Sequence, residues 1–136
     1  MILGFSGTRH GLTEKQRDLL TRLLDRIKPV EARHGDCIGA DTEFHHLCRS
    51  RGVGVVLHPP PAGPGRACNS DALIVMPEKG YLSRNRDIVD GADMLIACPA
   101  DMKEIRRSGT WSTIRYARKT GKRLVVIYPD GRVEEG

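Results

Sequence analysis

Short apolar runs alternate with segments of helical period along this chain, the runs are rich in the aliphatic residues of buried strands, and most junctions carry Gly, Pro or a helix-capping residue. These observations predict an α/β fold, a Rossmann-like, doubly wound, mainly parallel sheet of about five strands with helices on both faces. With 136 residues and 39% apolar content, the chain suits one domain around one core. Residues 1–129 are expected to form that domain, and residues 130–136 a C-terminal tail.

The first strand is expected at Ile2–Ser6. Thr13 and Gln16 then give a capping-box signal, and Leu19, Leu20, Leu23, Leu24 and Ile27 repeat at helical spacing up to Pro29, predicting a helix from Glu14 to Lys28. A weaker strand is expected at Val30–His34, a turn at Gly35–Gly39, and a helix from Ala40 to Arg51 that stops at Gly52. Val53–Leu57 reads as a third strand. The prolines and glycines at positions 59–65 cannot continue a helix or a central strand, so His58–Lys79 is expected to be irregular. Within it, Ala72–Met76 suits an edge strand or a segment packed on the core. A helix at Tyr81–Gly91, a strand at Met94–Cys98, a helix at Gly109–Thr120 and a strand at Arg123–Tyr128 follow, and Pro129–Gly136 reads as a turn and a frayed end.

Composition narrows the functional classes. No run approaches the roughly 20 apolar residues that span a bilayer, and the N-terminus lacks a secretory pattern, so a cytoplasmic protein is expected. Cys37, Cys48, Cys68 and Cys98 have no zinc-site spacing and are expected to be reduced, with no metal and no cofactor. The excess of 22 Lys and Arg over 17 Asp and Glu favours an anionic partner.

Four segments fall on loops that leave the carboxyl ends of strands, where ligands bind in such sheets. Ser6-Gly7-Thr8-Arg9-His10-Gly11 combines a turn that brings backbone N–H groups to a phosphate with an arginine able to grip it, although glycines there also serve merely to turn the chain. In Gly35-Asp36-Cys37-Ile38-Gly39-Ala40-Asp41, Gly39 and Ala40 permit close approach of a ligand, and Asp41 either accepts from ribose hydroxyls or complements the helix dipole. His45 and His46 follow as adjacent helical residues that point in different directions, so surface or satisfied core histidines are expected. In Tyr81-Leu82-Ser83-Arg84-Asn85-Arg86-Asp87, Arg84 suits a phosphate and Asn85 a base or ribose. In Arg107-Ser108-Gly109-Thr110-Trp111-Ser112-Thr113, a fresh helix N-terminus offers hydroxyls and N–H groups to an anion, or Ser108 is a plain N-cap.

As an ordered set, Ser6 to Arg9, Gly35 with Gly39-Ala40-Asp41, Arg84-Asn85 with Ala92-Asp93, Ser108 to Thr113 and Gly121-Lys122 resemble the SLOG superfamily, from Ile2 to about Pro129. That group joins the core of DNA-processing protein A, the lonely-guy phosphoribohydrolases and small stand-alone nucleotide-binding proteins, some from phages. The resemblance implies a nucleotide-type ligand held between these loops by Ser6, Gly7, Thr8, Arg9, Gly35, Gly39, Ala40, Asp41, Arg84, Asn85, Ser108, Gly109 and Thr110. It also implies a homo-oligomer, since dimers are frequent in the superfamily. Phosphoribohydrolases of the lonely-guy type carry Pro-Gly-Gly-x-Gly-Thr-x-x-Glu, whereas residues 105–113 here lack the first two glycines and place Thr113 at the carboxylate position. A hydroxyl cannot replace that carboxylate at neutral pH, so Asp41, Asp87 or Glu104 would have to act instead. The leading expectation is binding of a phosphorylated nucleotide-type ligand for sensing, sequestering or presentation. The alternatives are an N-glycosidic-bond hydrolase or transferase, and a single-strand nucleic-acid binder with a basic face of Arg84, Arg86, Arg106, Arg107, Arg115 and Arg118. An aromatic content of 4% leaves few stacking platforms for the last of these.

Overall fold

The computed structural model describes residues Met1 to Gly136 and arranges them around a single sheet. The elements follow in the order β1 (Ile2–Gly7), α1 (Glu14–Ile27), β2 (Glu31–His34), α2 (Ala40–Ser50), β3 (Gly54–Leu57) and β4 (Ile74–Val75). The second half comprises α3 (Tyr81–Gly91), β5 (Met94–Cys98), α4 (Gly109–Thr120), β6 (Arg123–Ile127) and β7 (Val133–Glu135). The strand order is β4-β3-β2-β1-β5-β6-β7, parallel except for β7. This is the doubly wound α/β class expected from the alternating pattern, widened to seven strands by two short edges.

One edge corrects the reading of the C-terminus as a frayed end. Residues Val133–Glu135 pair antiparallel with β6, Val125 opposite Glu135 and Ile127 opposite Val133. Asp130-Gly131 makes the reversal, with Gly131 at φ 90° and its N–H donating to Tyr128 O at 2.9 Å. The other edge, β4, lies beside β3 within the irregular His58–Lys79 stretch, as the edge-strand alternative anticipated.

Local signals set the helix ends. Thr13 and Gln16 form the capping box reciprocally, at 3.1 and 3.0 Å. Gln16 is also buried, and its Nε2 donates to Pro99 O and Ile127 O, which ties α1 to the ends of β5 and β6. Both sheet faces are covered. Leu20 and Leu24 of α1 and Phe44 and Cys48 of α2 pack on one face with Leu3, Phe5, Val55, Ile96 and Ile127. Ile88 and Val89 of α3 and Trp111, Ile114 and Ala117 of α4 cover the other with Leu95, Ala97, Leu124 and Val126. Each such fully buried aliphatic side chain contributes about 1.5 to 3 kcal/mol of transfer free energy. Strand β5, buried at all five positions, is the centre of this arrangement.

The order of strands also places the site. From β1 the chain leaves through α1 towards β2, and from the adjacent β5 it leaves through α4 towards β6 on the other side. The loops after β1 and β5 therefore diverge and open a crevice at the strands' carboxyl ends.

Candidate functional site

The loop after β1 forms the centre of the crevice. A Cβ on Gly7 would lie 2.5 Å from that of Ala40, so glycine lets the start of α2 press against the end of β1. Thr8 is held by its N–H to Cys98 O at 3.1 Å, and its carbonyl accepts from Gly11 N and Ala40 N. The Arg9 guanidinium stands 4.9 Å from the centre of the Tyr81 ring, a cation–π arrangement at the mouth of the crevice. Gly39, at φ 86°, passes so close to the Arg9 backbone that any Cβ would collide with it.

The loop after β2 supplies the first carboxylate. Asp41 is 5% exposed, and its Oδ2 accepts from Cys37 N at 3.2 Å while its Oδ1 has no partner in the protein. Burial raises its pKa from 3.8 to about 6 against the opposing charge of Arg84 and the backbone N–H groups of Cys37 and Gly35. Beside it, the Cys37 thiol is pushed up by burial and by Asp41, so it is not poised as a nucleophile. The same loop is fixed from beneath by a chain of buried imidazoles. Asp36 N donates to His34 Nδ1 at 2.9 Å, which leaves His34 Nε2 to donate to His45 Nδ1 at 2.9 Å and His45 Nε2 to donate to Ser70 O at 2.7 Å. Burial lowers the pKa of both rings, and His45 is thus a satisfied core histidine.

Arg84 is placed differently from the phosphate-gripping residue suggested by its motif. It is 5% exposed, and its Nη1 donates to Gly35 O and, at 3.1 Å, to His58 O. Its Nε donates to Asn85 Oδ1 at 2.7 Å, and both terminal nitrogens lie within 3.8 Å of Cys37 Sγ. The guanidinium thus joins the ends of β2 and β3 to α3, and it brings positive charge beneath Asp41. Because arginine only donates, Asn85 must turn its oxygen towards it, and the Asn85 Nδ2 is left without an acceptor in the protein.

The α4 N-terminus forms the opposite wall. Ser108 is an N-cap, its Oγ accepting from Trp111 N at 3.3 Å, while the Gly109 and Thr110 N–H groups have no acceptor in the protein. Thr113, at the position of the missing carboxylate, is 1% exposed and returns its hydroxyl to Gly109 O at 2.9 Å, away from any ligand.

These groups meet around a cavity of about 430 Å³ lined by Ser6, Gly7, Thr8, Arg9, Gly35, Asp41, Arg84, Asn85, Ser108, Gly109 and Thr110. Gly39 and Ala40 are not in its lining: Gly39 packs on Arg9, and Ala40 is fully buried against Gly7. The cavity adds the buried Phe5, Cys37 and Ile88, the more exposed His10 and Tyr81, and Ala100, Asp101 and Arg107 from the loop after β5. Tyr81 and Arg107 stand inside the motifs already singled out, and Asp101 follows a strand end, which is the signal that would have found them. Phe5 and Ile88 carry no mark that separates them from core residues. Of the carboxylates considered as substitutes, only Asp41 is in the lining. Asp87 pairs with Lys79 at 2.7 Å and Glu104 with Arg115 at 2.9 Å.

No protein-family model matches the sequence, and no curated protein matches it by sequence. The fold does have solved counterparts. The molybdenum cofactor binding protein of the phototrophic bacterium Rippkaea orientalis is similar over 93% of this chain and 76% of its own, with TM-score 0.72 and 18% identity. The Moco carrier protein of Chlamydomonas reinhardtii is similar over 92% and 74%, with TM-score 0.67 and 16% identity. DNA processing protein A of Helicobacter pylori, described for its single-stranded DNA binding mode, is similar over 93% and 64%, with TM-score 0.66 and 22% identity. The chain therefore has the Rossmann-like α/β fold of these proteins, the fold class that its pattern of strands and helices predicts.

Proposed function

We propose that the protein binds a nucleotide or nucleotide-derived phosphorylated ligand in this crevice, in the cytoplasm, so as to sense, sequester or present it. The observation that carries the reading is the pairing, in one crevice, of the unpartnered Oδ1 of Asp41 with the free Gly109 and Thr110 N–H groups of α4. A phosphate suits the positive end of the helix, flanked by Arg9 and Arg107, while Asp41 and Asn85 suit the uncharged part of the ligand. Four cysteines, all free, accord with a reducing compartment. A homo-oligomer formed through the exposed edge residues Leu73, Ile74 and Val75 accords with the same reading.

Asp41 also favours a second reading, hydrolysis or transfer at an N-glycosidic bond, because a carboxyl titrating near 6 inside a ligand crevice can act as an acid or base. Single-strand binding is less well supported. Of the basic face it requires, Arg84 is buried, Arg115 and Arg118 are ion-paired to Glu104 and Glu134, and Arg86 lies over Tyr116. Thermal-shift measurements on a panel of mononucleotides and oligonucleotides, with chromatography for released base, separate the three. Stabilisation by a mononucleotide without turnover is expected. Released base selects the second reading, and salt-sensitive oligonucleotide binding with no mononucleotide effect refutes the first two.

A further inference from the structure

Arg84 fixes the chemistry of the two groups beside it, and this constrains the ligand further. Its Nε takes the Asn85 oxygen, so Asn85 presents only N–H donors to the cavity. Asp41, when ionised, presents only acceptors, and one of its oxygens is unpartnered. Rotation of a carboxylate about Cβ–Cγ lies in a broad torsional well, so that buried oxygen turns towards the cavity in exchange for the 3.2 Å bond from Cys37 N. A ribose hydroxyl donates and accepts through one atom and needs no such division. A donor-only group and an acceptor-only group lining one cavity instead match a ring edge that carries C=O next to N–H. Tyr81 lines the same cavity with the guanidinium groups of Arg9 and Arg84 at 4.9 and 5.3 Å from its ring centre, and Ile88 gives the cavity an apolar floor.

We infer that Asp41 and Asn85 read a 2-amino-4-oxopyrimidine edge, the edge shared by guanine and a pterin, with Asn85 Nδ2 donating to the ring carbonyl and the Asp41 carboxylate accepting from the ring N–H and exocyclic amine. The inference rests on the proposed ligand crevice and specifies its base. Arg84 is then a positioning residue: it orients the Asn85 amide and touches no ligand atom in this arrangement.

The test uses the wild-type chain and six probes, the 5′-monophosphates of guanosine, inosine, adenosine and xanthosine, the nucleoside guanosine, and neopterin, followed by thermal shift and calorimetric titration. Guanosine monophosphate is expected to bind about 10- to 100-fold more tightly than adenosine monophosphate, as a site built on paired donors and acceptors discriminates. Inosine monophosphate, which lacks the exocyclic amine, is expected to fall between them. Neopterin binding more tightly than guanosine monophosphate assigns the edge to a pterin. In Asp41→Asn the amide oxygen still accepts from Cys37 N, and its new N–H is expected to shift preference from guanosine to xanthosine monophosphate, a change that a merely structural aspartate would not produce. Equal affinity for all four monophosphates overturns this inference and leaves the phosphate reading standing. Guanosine binding as tightly as its monophosphate keeps the inference and removes the phosphate. Absence of binding by every probe overturns both.

Discussion

Replacing Arg84 by Met distinguishes an internal clamp from a ligand-gripping residue. Three acceptors depend on this guanidinium, namely Gly35 O, His58 O at 3.1 Å and Asn85 Oδ1 at 2.7 Å, and the residue is 5% exposed. Leaving a buried acceptor unsatisfied costs about 1 to 3 kcal/mol, and removing the desolvated charge returns part of the sum, less its attraction for Asp41. The net expectation is a loss of about 3 to 5 kcal/mol, or about 10 to 20 °C in Tm for a chain of this size. Arg84→Lys should recover little, because one ammonium cannot reach acceptors on three separate elements. The assay is thermal unfolding by circular dichroism, with urea unfolding to verify that the midpoint moves and the slope does not. A Tm within about 3 °C of wild type, together with lost ligand binding, would refute the clamp and restore the phosphate-gripping role suggested by the motif.

Other consequences follow from the same site. Gly39→Ala combines a left-handed backbone at φ 86° with a collision against the Arg9 backbone, and should cost about 3 kcal/mol in urea unfolding. Asp41 has a native pKa of about 6 against 3.8, so the native state binds more protons between these values and its stability falls as pH rises through them. Asp41→Asn should therefore raise Tm at pH 7 and leave it nearly unchanged at pH 4. The histidines act in the opposite sense. His34 and His45 are held below their usual pKa and His58 at about 4, so unfolding takes up protons below about pH 6.5 and stability is lost as pH falls from there. His58→Gln should flatten this acid loss in a series of unfolding curves between pH 4 and 7; an unchanged slope would show that His58 does not contribute to it.

The sheet centre was legible because its physics is local. Met94–Cys98 is apolar at every position, as a strand buried on both faces must be, and Thr13 with Gln16 marks a helix start within four residues. Strand β7 was not, since Val133-Glu134-Glu135 is mostly charged and becomes a strand only by pairing with β6; the Asp130-Gly131 turn was its one sign. The crevice was legible as a set of loops, and eleven of the thirteen residues expected there line one cavity. The orientation of Arg84 was not, because its acceptors at Gly35 and His58 lie 49 and 26 residues away in the chain. Gly39 and Ala40 read in the sequence as residues that permit close approach of a ligand, and close approach does occur, but to Arg9 and Gly7. The sequence likewise leaves His45 as either a surface or a satisfied core histidine, and gives no sign that His34 is its partner.

On the proposed reading, this crevice holds a phosphorylated nucleotide-type ligand with its phosphate on α4. The most direct measurement is a nitrogen-15 NMR titration of the wild-type chain with guanosine 5′-monophosphate, in which the backbone amides are followed individually. Saturable shifts are expected to concentrate at Gly109 and Thr110, at Arg9 in the loop after β1, and at the Asn85 side-chain amide. Saturable shifts that leave Gly109 and Thr110 unmoved, or no shifts with any mononucleotide, would contradict that reading.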